Sequence, residues 1–128
     1  MIIDDKLLDE LALEAQASPR LRMNRDLRNT PTEDSQRMLN AMEPGTVIPV
    51  HRHRTTSKTL VLLRGKIDVI YYDDAGNETS RVELDPGEGR YGVHIPAGTW
   101  HKFVVLEPSV IFEAKHGPYM PLSPEDIQ

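Results

Sequence analysis

The feature of this sequence that most constrains its fold is a long series of short apolar segments separated by turn signals. From residue 36 onward the segments rich in β-forming residues are QRMLNAME, TVIPVHRH, KTLVLLRG, KIDVIYYD, SRVELDPG, YGVHIP, HKFVVLE and SVIFEAK. The separators include Glu-Pro-Gly, Asp-Pro-Gly and Pro-Ala-Gly, which favour turns. Many short strands at near-regular spacing predict an all-β fold, an antiparallel sandwich or barrel.

The N-terminal segment has a different, helical pattern. Ile3, Leu7 and Leu11 recur four residues apart, which predicts a helix over residues 4–17 that ends at Ser18-Pro19. In the LRMNRDLR stretch that follows, apolar and polar residues alternate, and this period of two is typical of a strand.

The length of 128 residues fits one domain built on a single core. We expect an N-terminal helical region at residues 1–19 and a β-barrel at residues 20–116. Residues 117–128 contain three prolines, and we expect them to form an irregular tail over the surface.

Charge and composition exclude several classes of function. A formal net charge of −5 argues against nucleic-acid binding, which usually requires a basic surface. Cysteine is absent, so the chain can form neither a disulfide framework nor a thiolate metal site. Charges interrupt the apolar residues of the N-terminal segment, so we expect neither a signal peptide nor a membrane span there. The expected location is the cytoplasm.

One short stretch suggests a metal site. His51 and His53 are separated by a single residue on a predicted strand, so both side chains project to the same side, about 7 Å apart along the chain. Two imidazoles at this spacing can converge on one ion at metal–nitrogen distances of about 2 Å. The alternative for an isolated His-x-His is a pair of solvated surface residues.

The wider context resembles a known superfamily. Gly45-Thr-Val-Ile-Pro-Val-His51-Arg-His53, followed by Gly65, is similar to the first cupin motif, Gly-x5-His-x-His-x4-Glu-x6-Gly. Pro96-Ala-Gly98-Thr-Trp-His101 is similar to the centre of the second motif, Pro-x-Gly-x2-His. The pieces SPRLRMN, LNAMEPGT, VLLRG, IPAGTWH and LEPSVIFEAKHGPY resemble WbuC-type cupin-fold metalloproteins across nearly the whole chain.

The resemblance implies a fold, a site and a cofactor. The fold is a cupin-type antiparallel β-barrel, or jelly roll, preceded by a short helix. The implied metal ligands are His51, His53 and His101, and the implied cofactor is one divalent ion, namely zinc, iron, nickel or manganese, among which imidazole donors do not choose sharply. The second motif departs from the family pattern at Arg90 and Val105, which replace a glycine and an asparagine.

A further departure affects the chemistry of the site. The glutamate that provides the fourth ligand in the family falls on Lys58, and a protonated amine cannot coordinate a cation. The lysine can lose its proton, turn away from three histidines that bind a metal alone, or pair with an acidic neighbour beside an empty site. Glu113, on a late strand, is a candidate for that neighbour.

The resemblance leads to two functional hypotheses from different classes. WbuC-type proteins are associated with surface-polysaccharide gene clusters, so the first hypothesis is a metal-binding cupin that acts on or binds a polar sugar-derived molecule. The alternative is a non-enzymatic carbohydrate-binding or sensing cupin whose metal site is weakened or absent, and whether the protein is an enzyme stays open. Candidate substrate-binding residues are Arg22, Asn24, Glu113 and Tyr119, and cupins commonly pair, so we expect a homodimer.

Overall fold

The computed structural model describes residues 1–128 and contains one α-helix and six strands. The elements are α1 (Asp5–Ala17), β1 (Arg22–Asp26), β2 (Ser35–Met42), β3 (Lys58–Tyr72), β4 (Glu78–Leu84), β5 (Gly92–Ile95) and β6 (Trp100–His116). Every strand pair is antiparallel, which confirms the predicted mostly β fold with a short N-terminal helix. None of the helices has the length and apolar character that crossing a bilayer requires.

The strands are hydrogen-bonded in the order β1-β2-β6-β3-β4, and β5 also pairs with β3. This order does not return to its first strand, so the hydrogen bonds define an open sheet, and the closed two-sheet barrel stays a prediction. β1 pairs only with β2 and therefore has a free edge.

The predicted strand over TVIPVHRH is wrong. Residues 43–57 contain no strand, and only His51 forms isolated bridges, one to His101 and one to Ile127. Pro49 has no N–H to donate to a ladder, which helps to explain why pairing does not extend towards the N-terminus.

The long strands β3 and β6 each combine two segments that the sequence pattern predicts as separate strands. Gly65 and Pro108, which suggest turns, lie inside β3 and β6 respectively. Their register shifts three times between Leu62 and Ile67, so the ladder absorbs the irregularity as bulges and continues.

Two hydrophobic clusters lie on opposite faces of the sheet. Asp4 caps α1 by accepting a hydrogen bond from Leu7 N at 3.1 Å. The helix buries its apolar stripe against one face, forming a cluster of Leu7, Leu8, Leu11, Ala15, Leu39, Ala41 and Val110. Strand alternation turns the neighbouring residues of β2 to the other face, where the larger cluster lies: Met42, Leu60, Leu62, Ile67, Val69, Leu84, Ile95, Phe103, Val105 and Ile111. The polar side chains discussed below lie on this second face.

The bulge around Gly65 gives a stability prediction. Gly65 has a φ of +97°, and a Cβ there would clash with Ser109 Oγ and lie 2.5 Å from the carbonyl oxygen of Pro108. We expect Gly65→Ala to lower the free energy of unfolding by roughly 2 kcal/mol or more, measured by urea denaturation. The control is Gly89→Ala, where φ is +78° but no atom lies within 4 Å, so only the backbone term of about 1 kcal/mol applies. Equal losses would contradict the packing explanation.

Candidate metal centre

His51 and His53 come together with the distant His101 over the second face of the sheet, which carries the larger hydrophobic cluster and is called the inner face below. His51 and His101 exchange two backbone hydrogen bonds of 3.0 and 2.9 Å, which places their side chains next to each other. The ring centroid of His51 lies 4.4 Å from that of His101 and 5.2 Å from that of His53. One nitrogen from each of the three rings lies within 4.8 Å of the others. This arrangement could hold a single metal ion.

Hydrogen bonds set the tautomer of two of these rings. Nδ1 of His51 donates to the carbonyl oxygen of Pro49, and Nδ1 of His101 donates to that of Thr99, both at 2.9 Å. A carbonyl oxygen can only accept, so Nδ1 carries the proton and Nε2 keeps a free lone pair. His101 is fully buried, and its Nε2 has no hydrogen-bond partner. A buried acceptor without a partner is unfavourable in a native structure, and a metal ion would satisfy it.

The electrostatic environment keeps all three imidazoles neutral. Burial, and after it the positive charge of Lys58, lower the pKa of His51 to about 4 and the pKa values of His53 and His101 to about 3. A neutral imidazole is the form that coordinates metals. All three rings are therefore in the charge state that can bind a cation.

Lys58 lies on the same face as the histidines. Its residue is only 7% exposed, and Nζ lies 3.5 Å from Oε2 of Glu113 and 5.1 Å from the ring centroid of Phe103. The amine is thus paired with a carboxylate, at the position where the first cupin motif has a glutamate ligand. Glu113 lies in the site as a partner of this lysine.

A second lysine, which the sequence reasoning missed, lies directly opposite Lys58. Lys115 is the cross-strand partner of Lys58, and its Nζ lies 3.3 Å from Nδ1 of His53. Burial and the charge of Lys58 lower the pKa of Lys115. The signal available in the sequence was alternation, because Lys115 follows Glu113 by two residues and so shares its face.

A cleft of about 290 Å³ opens beside His53 and Lys115. The C-terminal tail forms one wall of it, and the tail is held by Asp126, whose Oδ1 accepts hydrogen bonds from Arg52 at 3.0 Å and Arg54 at 2.7 Å. Hydrogen bonds from these arginines, chiefly Arg54, lower the pKa of Asp126 to about 2. Hydrogen bonds therefore hold the tail against this end of the sheet.

The remaining predicted substrate-binding residues lie elsewhere. Arg22 and Asn24 line a separate cleft of about 230 Å³ at β1, and register places Asn24 opposite Asn40 on the inner face. The Nε of Arg22 and the Oδ1 of Asn40 are buried without partners. Tyr119 is 60% exposed and does not line the cleft beside His53.

The arrangement of strands is the fold found in cupins, a class that the similar solved structures include. Solved structures with this fold support the assignment. CapF from Staphylococcus aureus, described as a capsular polysaccharide assembling protein, is 21% identical with a TM-score of 0.64, and the similarity covers 80% of this chain and 28% of CapF. KdgF from a Halomonas species is 19% identical with a TM-score of 0.60, covering 80% and 84% of the two chains. Bacillus subtilis oxalate decarboxylase, whose Mn(II) centres have been studied, is 17% identical with a TM-score of 0.59, covering 78% and 26%.

The particular family follows from the sequence. Residues 3–84 match the family described as a domain of unknown function, DUF6016, and the chain belongs to that family. The matched residues include His51 and His53 and end before His101. No curated protein matches the chain. The chain spans less than a third of the length of CapF, and the likeness to these structures shows the fold alone.

The neutral buried histidines give a prediction of pH dependence for the metal-free protein. In the unfolded chain an imidazole binds a proton near pH 6.5, whereas His51, His53 and His101 do so only near pH 3–4 when folded. Between these values the unfolded state binds more protons, so the free energy of unfolding falls as the pH is lowered from 7 to 5. The slope is at most about 1.4 kcal/mol per pH unit for each histidine.

Urea denaturation of chelator-treated protein at several pH values measures this slope. His53→Gln removes one of the three groups and should give a shallower dependence on pH. A free energy of unfolding that stays constant from pH 7 to 5 would mean that the histidines are not held neutral.

Lys58 gives a prediction of metal affinity. Lys58→Glu replaces a repulsive charge with an attractive one and supplies an oxygen donor, so we expect metal affinity to rise at least tenfold, or about 1.4 kcal/mol. Lys58→Met, which only removes the charge, should give a smaller gain. Lys102→Met is the control, because alternation turns Lys102 away from the face that holds His101. The metal affinity of this variant should equal that of the unmodified protein.

Calorimetric titration of the four proteins, stripped and reloaded with the same ion, measures these affinities. Equal or weaker binding by the Glu variant than by the unmodified protein would mean that the side chain at position 58 does not reach the ion or that the amine of Lys58 is itself a ligand.

Proposed function

We propose that this protein is a metal-binding cupin, of the kind seen in WbuC-type proteins, that acts on or binds a polar sugar-derived small molecule in surface-polysaccharide metabolism. The observation that carries the proposal is the buried Nε2 of His101, a lone pair without a partner beside two other neutral imidazoles. The similarity of the fold to that of CapF, a capsular polysaccharide assembling protein, supports the link to polysaccharides.

The residues have distinct roles in this proposal. His51, His53 and His101 would hold one divalent ion, which when bound supplies Lewis acidity or activates oxygen. Zinc, iron, nickel and manganese are all compatible with imidazole ligands.

Polar groups further along the inner face would bind the rest of the molecule. Arg22 Nε offers a donor and Asn40 Oδ1 an acceptor, and neither has a protein partner. Hydroxyl groups of a sugar can satisfy both. Asn24 and Tyr119 would contribute from the edge strand and the tail.

The alternative is a carbohydrate-binding or sensing cupin without catalytic activity and with a weak metal site. The contact between Lys58 and Glu113 favours this alternative, because it places a cation where a ligand would strengthen metal binding. Fold alone does not decide between an enzyme and a binding protein.

The proposal also takes the chain as one cupin domain, with a β-barrel over residues 20–116, that forms homodimers. The unpaired edge of β1 supports dimerisation, since proteins usually cover such edges.

Metal analysis tests the central part of this proposal. Protein purified without a polyhistidine tag should contain about one equivalent of transition metal, measured by mass spectrometry of the elements. His101→Ala should lose it, because the variant removes the most deeply buried ligand, while the surface variant His94→Ala should retain it.

Two results would contradict this proposal. Protein that remains metal-free after incubation with each of the four ions and desalting would favour the non-metal alternative. Equal metal content in His101→Ala and the unmodified protein would mean that the metal binds somewhere else.

A further inference from the structure

The cluster of buried and half-buried side chains around the histidines carries more positive than negative charge. Lys58 and Lys115 face each other across neighbouring strands, and one carboxylate, that of Glu113, lies within 4 Å of Lys58. No carboxylate lies within 4 Å of the Lys115 amine, whose polar contact is the ring nitrogen of His53 at 3.3 Å. The three imidazoles are neutral and offset neither charge. A divalent ion bound by them would increase the excess.

Lys115 is half-buried, and a partly desolvated cation without a counter-ion is unfavourable, so a ligand can supply the negative charge that the protein lacks. The position of Lys115 makes this feasible, because its side chain lines the 290 Å³ cleft that also reaches His53. The cleft volume lies just below the usual range for small-molecule sites, roughly 300–1,000 Å³, and suits a molecule of about the size of a monosaccharide.

The other polar groups of the cleft favour an anion. Asp126 is its only acidic lining residue, and this carboxylate already accepts hydrogen bonds from Arg52, Arg54 and Ser123. Thr55 and Thr56 add hydroxyl donors to the lining. The cleft therefore presents donors and positive charge and no unpaired negative charge.

We propose that this cleft binds an anionic group, a carboxylate or a phosphate, which pairs with the Lys115 ammonium beside the histidine site. This rests on the proposed function and narrows it, because the sugar-derived ligand would be an acidic sugar or a sugar phosphate rather than a neutral one. Lys58 has a different role, since its amine is already paired with Glu113. Lys115 is the residue that distinguishes charged from neutral ligands.

The test uses probes that differ in a single group. Glucuronate and glucose 6-phosphate carry a carboxylate and a phosphate on the same sugar, glucose is the neutral control, and inorganic phosphate reports on the anion site without a sugar. Binding to the full-length protein is measured by calorimetry or by NMR shifts at constant ionic strength. We expect at least one of the charged probes to bind tenfold or more tightly than glucose, and the stronger of the two sugar anions identifies the preferred group.

Substitutions then assign the preference to Lys115. Lys115→Met should abolish the advantage of the charged probe, and Lys115→Arg should retain most of it because the charge and donors remain. Lys102→Met, on the opposite face of the same strand, is the control for general loss of positive charge and should bind as the unmodified protein does. Thermal unfolding of each variant confirms that it is folded.

The outcomes separate this inference from the metal proposal. Lys115→Met should bind metal at least as well as the unmodified protein, because a repulsive charge is removed next to His53. If no charged probe binds more tightly than glucose, the anion proposal is wrong whatever the metal content. If the preference persists in Lys115→Met, the anion binds elsewhere and the assignment is wrong. A protein that binds the anion but takes up none of the four metal ions would leave this inference standing and contradict the metal centre.

Discussion

The structure of the site depends on one small backbone interaction, the pair of hydrogen bonds that His51 and His101 exchange at 3.0 and 2.9 Å. Residues 43–57 form no strand, and this bridge provides the backbone hydrogen bonds that join the histidine segment to β6. Each of the two histidines then uses its Nδ1 to reach a carbonyl oxygen two residues earlier. The bridge sets the distance between the rings, and the local hydrogen bonds set their tautomers. Together they leave free lone pairs facing one another.

The charges around this site oppose one another. Neutral buried imidazoles favour a cation, whereas Lys58 and Lys115 repel it. Two unit charges 4 Å apart interact by about 4 kcal/mol at an effective dielectric constant of 20, so neither effect is negligible. Glu113 offsets one lysine through a 3.5 Å contact. An anionic ligand at Lys115 would offset the other, and on this account metal and anion stabilise each other's binding.

Much of this arrangement follows from local sequence patterns, and the rest requires the fold. The helix and most strand positions follow from apolar periodicity, and His51, His53 and His101 follow from motif resemblance. Periodicity could not predict that Gly65 and Pro108 would be absorbed as bulges inside β3 and β6, because the outcome depends on the facing strand. The pairing of Lys115 with His53 joins residues 62 positions apart and depends on register, which no local pattern contains.

The most direct test of this account is the protonation state of the imidazole nitrogens in the metal-free protein. Long-range proton–nitrogen NMR correlations assign the tautomer and charge of each histidine ring as the pH changes. The account predicts that His51 and His101 carry their proton on Nδ1 at pH 7 and remain neutral at pH 5.5, with the Nε2 signals moving when metal is added. Rings that carry the proton on Nε2, or that are protonated at pH 5.5, would contradict it.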